Sequence, residues 1–237
     1  MPGAPTLILK AGQKLDTLAG HPGDFEDWIA AGLGGHADEV VTVDVRAAPP
    51  LPSPGNCARV LVTGSAAMVS DREPWAEATA AWLREAVAAG TPVLGICFGH
   101  QLLAHALGGE AGWNPNGVEV GSVEVKQTPA AGDDPLLGGL PTRFMANMSH
   151  RQSVLVLPDG AVRLAHSALD PNAAFRFGDR AWGVQFHPEF DATVTRAHVD
   201  WYRPALAERG ADAGALLAEG VETPLSHGLL ARFAAIA

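Results

Sequence analysis

The chain has 237 residues, 47% hydrophobic and 18% charged, enough apolar material for one large α/β domain or two small ones and too much for a disordered chain. A formal net charge of −10 argues against nucleic acid and against an anionic membrane as partners, since both select basic surfaces. Two cysteines, Cys57 and Cys97, make no disulfide framework; with no basic-then-apolar leader in Met1-Pro2-Gly3-Ala4-Pro5 and no apolar run of membrane-span length, a cytosolic chain is expected.

Thr6 to Leu9 reads as a first strand. Asp24 is a candidate cap for a helix from Phe25 to Leu33, with Phe25, Trp28, Ile29 and Leu33 on one face. Val40 to Val45 is a β-branched strand, and the Pro-rich stretch Pro49 to Pro54 is a loop. Arg59 to Thr63 is a strand that runs into Gly64-Ser65-Ala66, and Trp75 to Ala89 is a helix closed by Gly90 and Pro92. Pro92 to Ile96 is a strand, followed at once by a helical pattern over Gln101 to Leu107 that stops at Gly108-Gly109. This βα alternation predicts a parallel sheet flanked by helices on both faces.

The pattern then changes. Val118-Glu119-Val120 and Val123-Glu124-Val125 alternate apolar and charged, as half-exposed antiparallel strands do. Further strands are expected at Arg143 to Met148, Val154 to Leu157, Ala161 to His166, Ala173 to Phe177 and Trp182 to Phe186. Asp191 to Ala207 and Leu225 to Ile236 read as helices. The fold class is therefore α/β: a single domain with a central, mostly parallel sheet and a smaller antiparallel region. We expect that domain over residues 1–205, with residues 206–237 a helical extension packed on it.

The chemistry centres on Gly95-Ile96-Cys97-Phe98-Gly99. A strand that turns sharply into a helix at a nucleophile, with glycine two residues to either side, is a nucleophile elbow; a Cβ on either side would crowd the turn. The helix dipole and free N–H groups there favour a thiolate. A buried structural cysteine is the competing reading. Among nine histidines, His187 ends a strand and is followed by Pro188-Glu189, so in an extended segment Glu189 points to the same side as the imidazole. Spacing alone leaves open a strand-end histidine beside a solvated acid. His100 and His105 lack the i, i+4 spacing of a helical zinc site, and His100 reads as a packing residue near the elbow. His150 lines a cleft or caps a strand, and His21, His36, His166, His198 and His227 have no chemical company. Asp133-Asp134 before Pro135 reads as a solvated turn. No metal cluster and no phosphate-binding glycine loop is visible, so neither metal nor nucleotide cofactor is expected.

Taken together, Pro92-Val93-Leu94-Gly95-Ile96-Cys97-Phe98-Gly99-His100-Gln101, Met148-Ser149-His150 and Gly183-Val184-Gln185-Phe186-His187-Pro188-Glu189-Phe190 resemble the class I glutamine amidotransferase family. The nearest flavour is the glutaminase domain of GMP synthase and its stand-alone relatives, with a flavodoxin-like fold. The resemblance implies Cys97 as nucleophile, His187 as base and then acid, and Glu189 as the group that orients it. It implies an oxyanion hole from the Phe98 N–H together with Gly64 and Ser65, in a turn that departs from the family's usual Gly-Gly-Pro. Gln101, Ser149 and His150 correspond to residues that hold glutamine. The implied reaction converts glutamine to glutamate and ammonia with no cofactor. GMP synthase adds an ATP-pyrophosphatase domain whose Ser-Gly-Gly phosphate loop is not found here, so an ammonia acceptor is expected on a separate synthase chain. The alternatives are a γ-glutamyl amide or peptide hydrolase with the same triad, and a non-enzymatic regulatory or binding subunit.

Overall fold

In the computed structural model the described residues are 3–36 and 39–236, with the side chain of His36 excepted. Met1 and Pro2 at the expected leader-free start, and the side chain of His36, lie outside the described residues.

Five parallel strands form one half of a nine-stranded sheet: β1 (Thr6–Lys10), β2 (Val40–Asp44), β3 (Arg59–Val62), β4 (Val93–Ile96) and β11 (Ala181–Val184). Their order across the sheet is β2-β1-β3-β4-β11, with every neighbouring pair parallel. The sheet continues through antiparallel β10 (Ala174–Phe177), β9 (Val162–His166), β6 (Glu119–Gln127) and β7 (Arg143–His150). A separate two-stranded antiparallel sheet pairs β5 (Glu110–Trp113) with β8 (Gln152–Val156). The single α/β domain anticipated from the alternation is the observed one, and β5 is an element the sequence reading missed.

Helices cover both faces because each sheet face is apolar. On one face α2 (Pro74–Ala88) and α3 (Phe98–Ala106) set Ala80, Leu83, Leu102 and Leu103 against Leu7, Val60, Val62 and Val93. On the other, α1 (Phe25–Gly32) and α7 (Pro224–Ala235) pack Ile29, Leu229, Leu230 and Phe233 with Ile8, Leu61, Leu94 and Trp182. Asp24 caps α1 with a reciprocal bond to Asp27. The helix expected from Asp191 to Ala207 is two, α4 (Ala192–Trp201) and α5 (Arg203–Ala207), split where Pro204 has no N–H to continue the ladder. A further short helix, α6 (Ala213–Glu219), precedes α7.

Two local readings are corrected by burial. The segments around Val120 and Val125 are one strand, β6, in which Gly121 takes φ +104°. Glu119, expected to face solvent, is buried at 3% exposure among His150, Ser167 and Leu169. Asp134 is likewise no solvated turn residue. Its carboxylate accepts from the N–H groups of Leu136 and Leu137 and pairs with Arg176 Nε at 2.9 Å, which compensates its burial.

The glycines at the β4–α3 junction are sterically required. A Cβ on Gly95 would run into the Gly99 carbonyl, and one on Gly99 would lie 2.5 Å from the Val62 carbonyl oxygen. Gly228 in α7 has nothing within 4 Å of a built Cβ. Gly95→Ala should therefore lower unfolding stability by about 3 kcal/mol or prevent folding. Gly228→Ala should raise it by about 0.5–1 kcal/mol. Urea unfolding of both variants measures the contrast, and equal effects would contradict the packing described.

Candidate active site

Three neighbouring parallel strands deliver their carboxyl ends to one place. β4 ends at Cys97, β3 runs into Gly64 and Ser65, and β11 leads through Gln185 and Phe186 to His187. Ligand sites in open α/β sheets form at such carboxyl ends. Cys97 takes φ 52° and ψ −102°, a backbone conformation that costs a β-carbon-bearing residue roughly 1–3 kcal/mol and that the close-packed glycines hold in place. The turn aims the thiol out of the strand, where it donates to the Ser149 carbonyl at 3.6 Å. Phe98 opens α3, and the first N–H groups of a helix have no acceptor within it.

His187 meets Cys97 from β11. Its Nδ1 lies 2.7 Å from Glu189 Oε1, so Nε2 is left for the neighbouring Cys97. Phe190 stacks on the imidazole with centroids 3.9 Å apart and ring planes 14° from parallel. The His187 N–H is tied to the Asn147 carbonyl at 2.8 Å. Burial would pull the His187 pKa down, but the charges of Glu189 and Cys97 and the hydrogen bonds to both carry it up to about 10. The structure thus brings Cys97, His187 and Glu189 together, all buried.

The site opens into a small cavity of about 50 Å³. Ser65, Phe98, Gln101, Ser149 and His150 line it. Gly64 sits behind it, where a Cβ would come 2.7 Å from His187 Cε1. Gln101 is committed to the protein through Nε2, which donates to the Gln152 carbonyl at 2.7 Å and to Gln185 Oε1 at 3.1 Å. Ser149 Oγ bonds His198 Nδ1 at 2.7 Å. Both ring nitrogens of His150 are engaged, Nδ1 with the Gln152 carbonyl at 2.9 Å and Nε2 with the buried Glu119 at 3.1 Å. Ser167 Oγ also donates to Glu119, at 2.8 Å. His150 therefore braces the cavity wall.

His100 is fully buried against Phe175, centroids 5.1 Å apart, and burial drops its pKa to about 3. His198, read as chemically alone, lines the cavity with Trp201, Tyr202 and Arg151. The first three share one helical face at i, i+3, i+4, a periodicity the sequence displays but that names no ligand. Cys57 lies buried elsewhere, its thiol pKa raised by burial. Among the described residues no group of three or more His, Cys, Asp or Glu converges as a metal site, and no helix is long and apolar enough to cross a membrane.

Comparison with known proteins agrees with this architecture. Over 136 residues, 56% of this chain, it is 43% identical to a GMP synthase [glutamine-hydrolyzing] from Aeropyrum pernix, of which 26% is covered. Over 130 residues, 55% of this chain, it is 42% identical to the same-named enzyme from Thermomicrobium roseum, of which 23% is covered. The chain thus spans about a quarter of the length of these curated relatives. The crystal structure of a glutamine amido transferase from Methylobacillus flagellatus superposes with a TM-score of 0.75 at 26% identity, covering 97% of this chain and 94% of that one. A glutamine amidotransferase from Thermotoga maritima, at 22% identity and TM-score 0.74 with 97% and 96% covered, shares the fold. The sequence profile described as Glutamine amidotransferase class-I matches residues 35–199, more than half of the chain. The elbow, the sheet order and this match together place the chain in the class-I glutamine amidotransferase family.

Proposed function

We propose that the chain hydrolyses the side-chain amide of glutamine to glutamate and ammonia. The observation that carries this reading is the convergence on one cavity of a backbone-strained Cys97 and an imidazole held by Glu189 at 2.7 Å. In this mechanism the Cys97 thiolate attacks the amide carbon, a C–S bond forms and the carbonyl electrons move to oxygen. N–H groups of Phe98 and the Gly64-Ser65 turn receive that oxyanion, each donor worth roughly 3–4 kcal/mol in comparable sites. The His187 imidazolium gives its proton to the departing nitrogen, and ammonia leaves as the thioester forms. The neutral imidazole then takes a proton from water, whose oxygen attacks the thioester; the C–S bond breaks and glutamate is released. Glu189 keeps the ring in the correct tautomer and stabilises its cation without exchanging the proton. The curated relatives named GMP synthase suggest that the ammonia passes to a synthase.

A second reading keeps the triad and enlarges the substrate to a γ-glutamyl amide or peptide. Trp201 favours it, because this ring lines the cavity yet is 43% exposed and offers a larger leaving group a surface. A panel of glutamine and γ-glutamyl amides, followed by product analysis, ranks the two.

Glutamine offered to the protein and quenched in acid should leave a γ-glutamyl adduct on Cys97, and a glutamine-like chloroketone should label Cys97 and spare Cys57. Labelling at Cys57, or at neither thiol, would sink the assignment.

The His187 proton makes a second prediction. Its pKa is raised from the ordinary 6.5 to about 10, so the stabilisation it contributes is complete below about 6.5 and is lost as pH rises through about 10. Glu189→Gln keeps the shape but removes the charge. The alkaline limb of kcat/KM should then move to lower pH, and the loss of activity should be smaller than for Cys97→Ala. A Glu189→Gln profile identical to the parent's would reduce the site to a Cys97–His187 dyad.

A further inference from the structure

The cavity over Cys97 holds one permanent cation available to a ligand. Among the described residues that line it there is no aspartate or glutamate. Its histidines are otherwise occupied. His187 serves Glu189 and Cys97, and His150 is bonded through both nitrogens. His198 is held neutral by burial and by the neighbouring His187 charge, which bring its pKa to about 3. That leaves Arg151.

Arg151 is braced by its faces. Its guanidinium carbon lies 5.1 Å from the Tyr202 ring centroid and 5.7 Å from that of Trp201. Such aromatic contacts support a cation while leaving its edge of N–H donors available. The Tyr202 hydroxyl takes one hydrogen bond, whereas the buried Nε has no partner among the described residues. No carboxylate of the described residues pairs with this guanidinium. A partly desolvated charge without a counter-ion is costly, and a planar carboxylate is the group that its fork fits best.

Position narrows the ligand further. Arg151 stands two residues beyond Ser149, whose carbonyl receives the Cys97 thiol. Arg151 occupies the bend between β7 and β8. In a γ-glutamyl group the α-carboxylate carbon lies about 5 Å from the carbonyl carbon that a thiol attacks, four carbon–carbon bonds away. Cys97 and Arg151 line the same cavity.

We propose that Arg151 is the specificity-determining residue of this cavity: it takes the α-carboxylate of a γ-glutamyl substrate, and the site selects for that acid group and not for the α-ammonium. The cavity offers no acidic side chain to an ammonium, so an N-acylated γ-glutamyl compound is accepted while an α-carboxamide is refused. This inference rests on the γ-glutamyl reading of the site.

The test compares L-glutamine, N-acetyl-L-glutamine and the α-amide of L-glutamine as substrates. In parallel it compares the rates at which Cys97 is alkylated by a glutamine-like chloroketone and by that reagent's α-amide. The parent protein should favour the acid over the α-amide about 10- to 100-fold in both assays, the range expected for a charge-assisted hydrogen bond. It should handle N-acetyl-L-glutamine within about 10-fold of L-glutamine, below the loss expected for a charged contact. In Arg151→Ala the acid-to-amide ratio should collapse towards one through KM, and Arg151→Lys should keep part of it. Thermal melting identifies a misfolded variant, and Arg151→Gln, of similar length, then takes its place. An unchanged ratio in the variants, or equal labelling by both reagents in the parent, overturns the proposal. No turnover with selective labelling of Cys97 by the acid reagent would overturn the hydrolase reading and leave the role of Arg151 supported. Turnover of glutamine without discrimination would do the reverse.

Discussion

The site depends on keeping a positive charge on an imidazole that has been removed from water. Burial alone would neutralise His187. The carboxylate of Glu189 on one ring nitrogen and the sulfur of Cys97 near the other reverse that tendency. The arrangement is sensitive because each group compensates the burial of the next. Removing either partner leaves a buried charge without its counter-ion, a change more damaging than the loss of one hydrogen bond. Phe190 adds a constraint of shape, since an imidazole stacked 3.9 Å beneath a phenyl ring cannot turn freely out of the Glu189 bond.

The sheet supplies what local chemistry cannot. Cys97, the Gly64-Ser65 turn and His187 are distant in sequence, yet β3, β4 and β11 are immediate neighbours in parallel register. Their carboxyl ends must emerge together, so the three groups converge without a long loop. The Cys97 N–H donates to the Val184 carbonyl at 2.9 Å, extending the β4–β11 ladder to the residue that turns. The tail beyond the family match also builds the core, because Leu229, Leu230 and Phe233 fill the face opposite α3.

Where the determinant was local, the sequence displayed it. The glycines around Cys97, the abrupt change from strand to helix, and the His-Pro-Glu order all express short-range geometry. The alternation of strands and helices likewise announced the parallel half of the sheet. Where pairing across the fold decides, the residue pattern misled. Glu119 alternates like a solvent-facing acid, but His150, which pairs with β6 from β7, and Ser167 satisfy it in the interior. Asp134 looked like a solvated turn until Arg176 and Trp182 reached it. His198 and Arg151 belong to the cavity only because α4 crosses the end of β7, a contact that no periodicity within either segment contains.

The central claim is the charge on His187, and nitrogen-edited NMR of its imidazole across pH tests it most directly. The account predicts a ring that stays protonated through neutrality and titrates near the value of about 10 set by Glu189 and Cys97, and that in Cys97→Ser and Glu189→Gln titrates at markedly lower pH. An imidazole already neutral at neutral pH in the unmodified protein, or one whose titration ignores both substitutions, would contradict it.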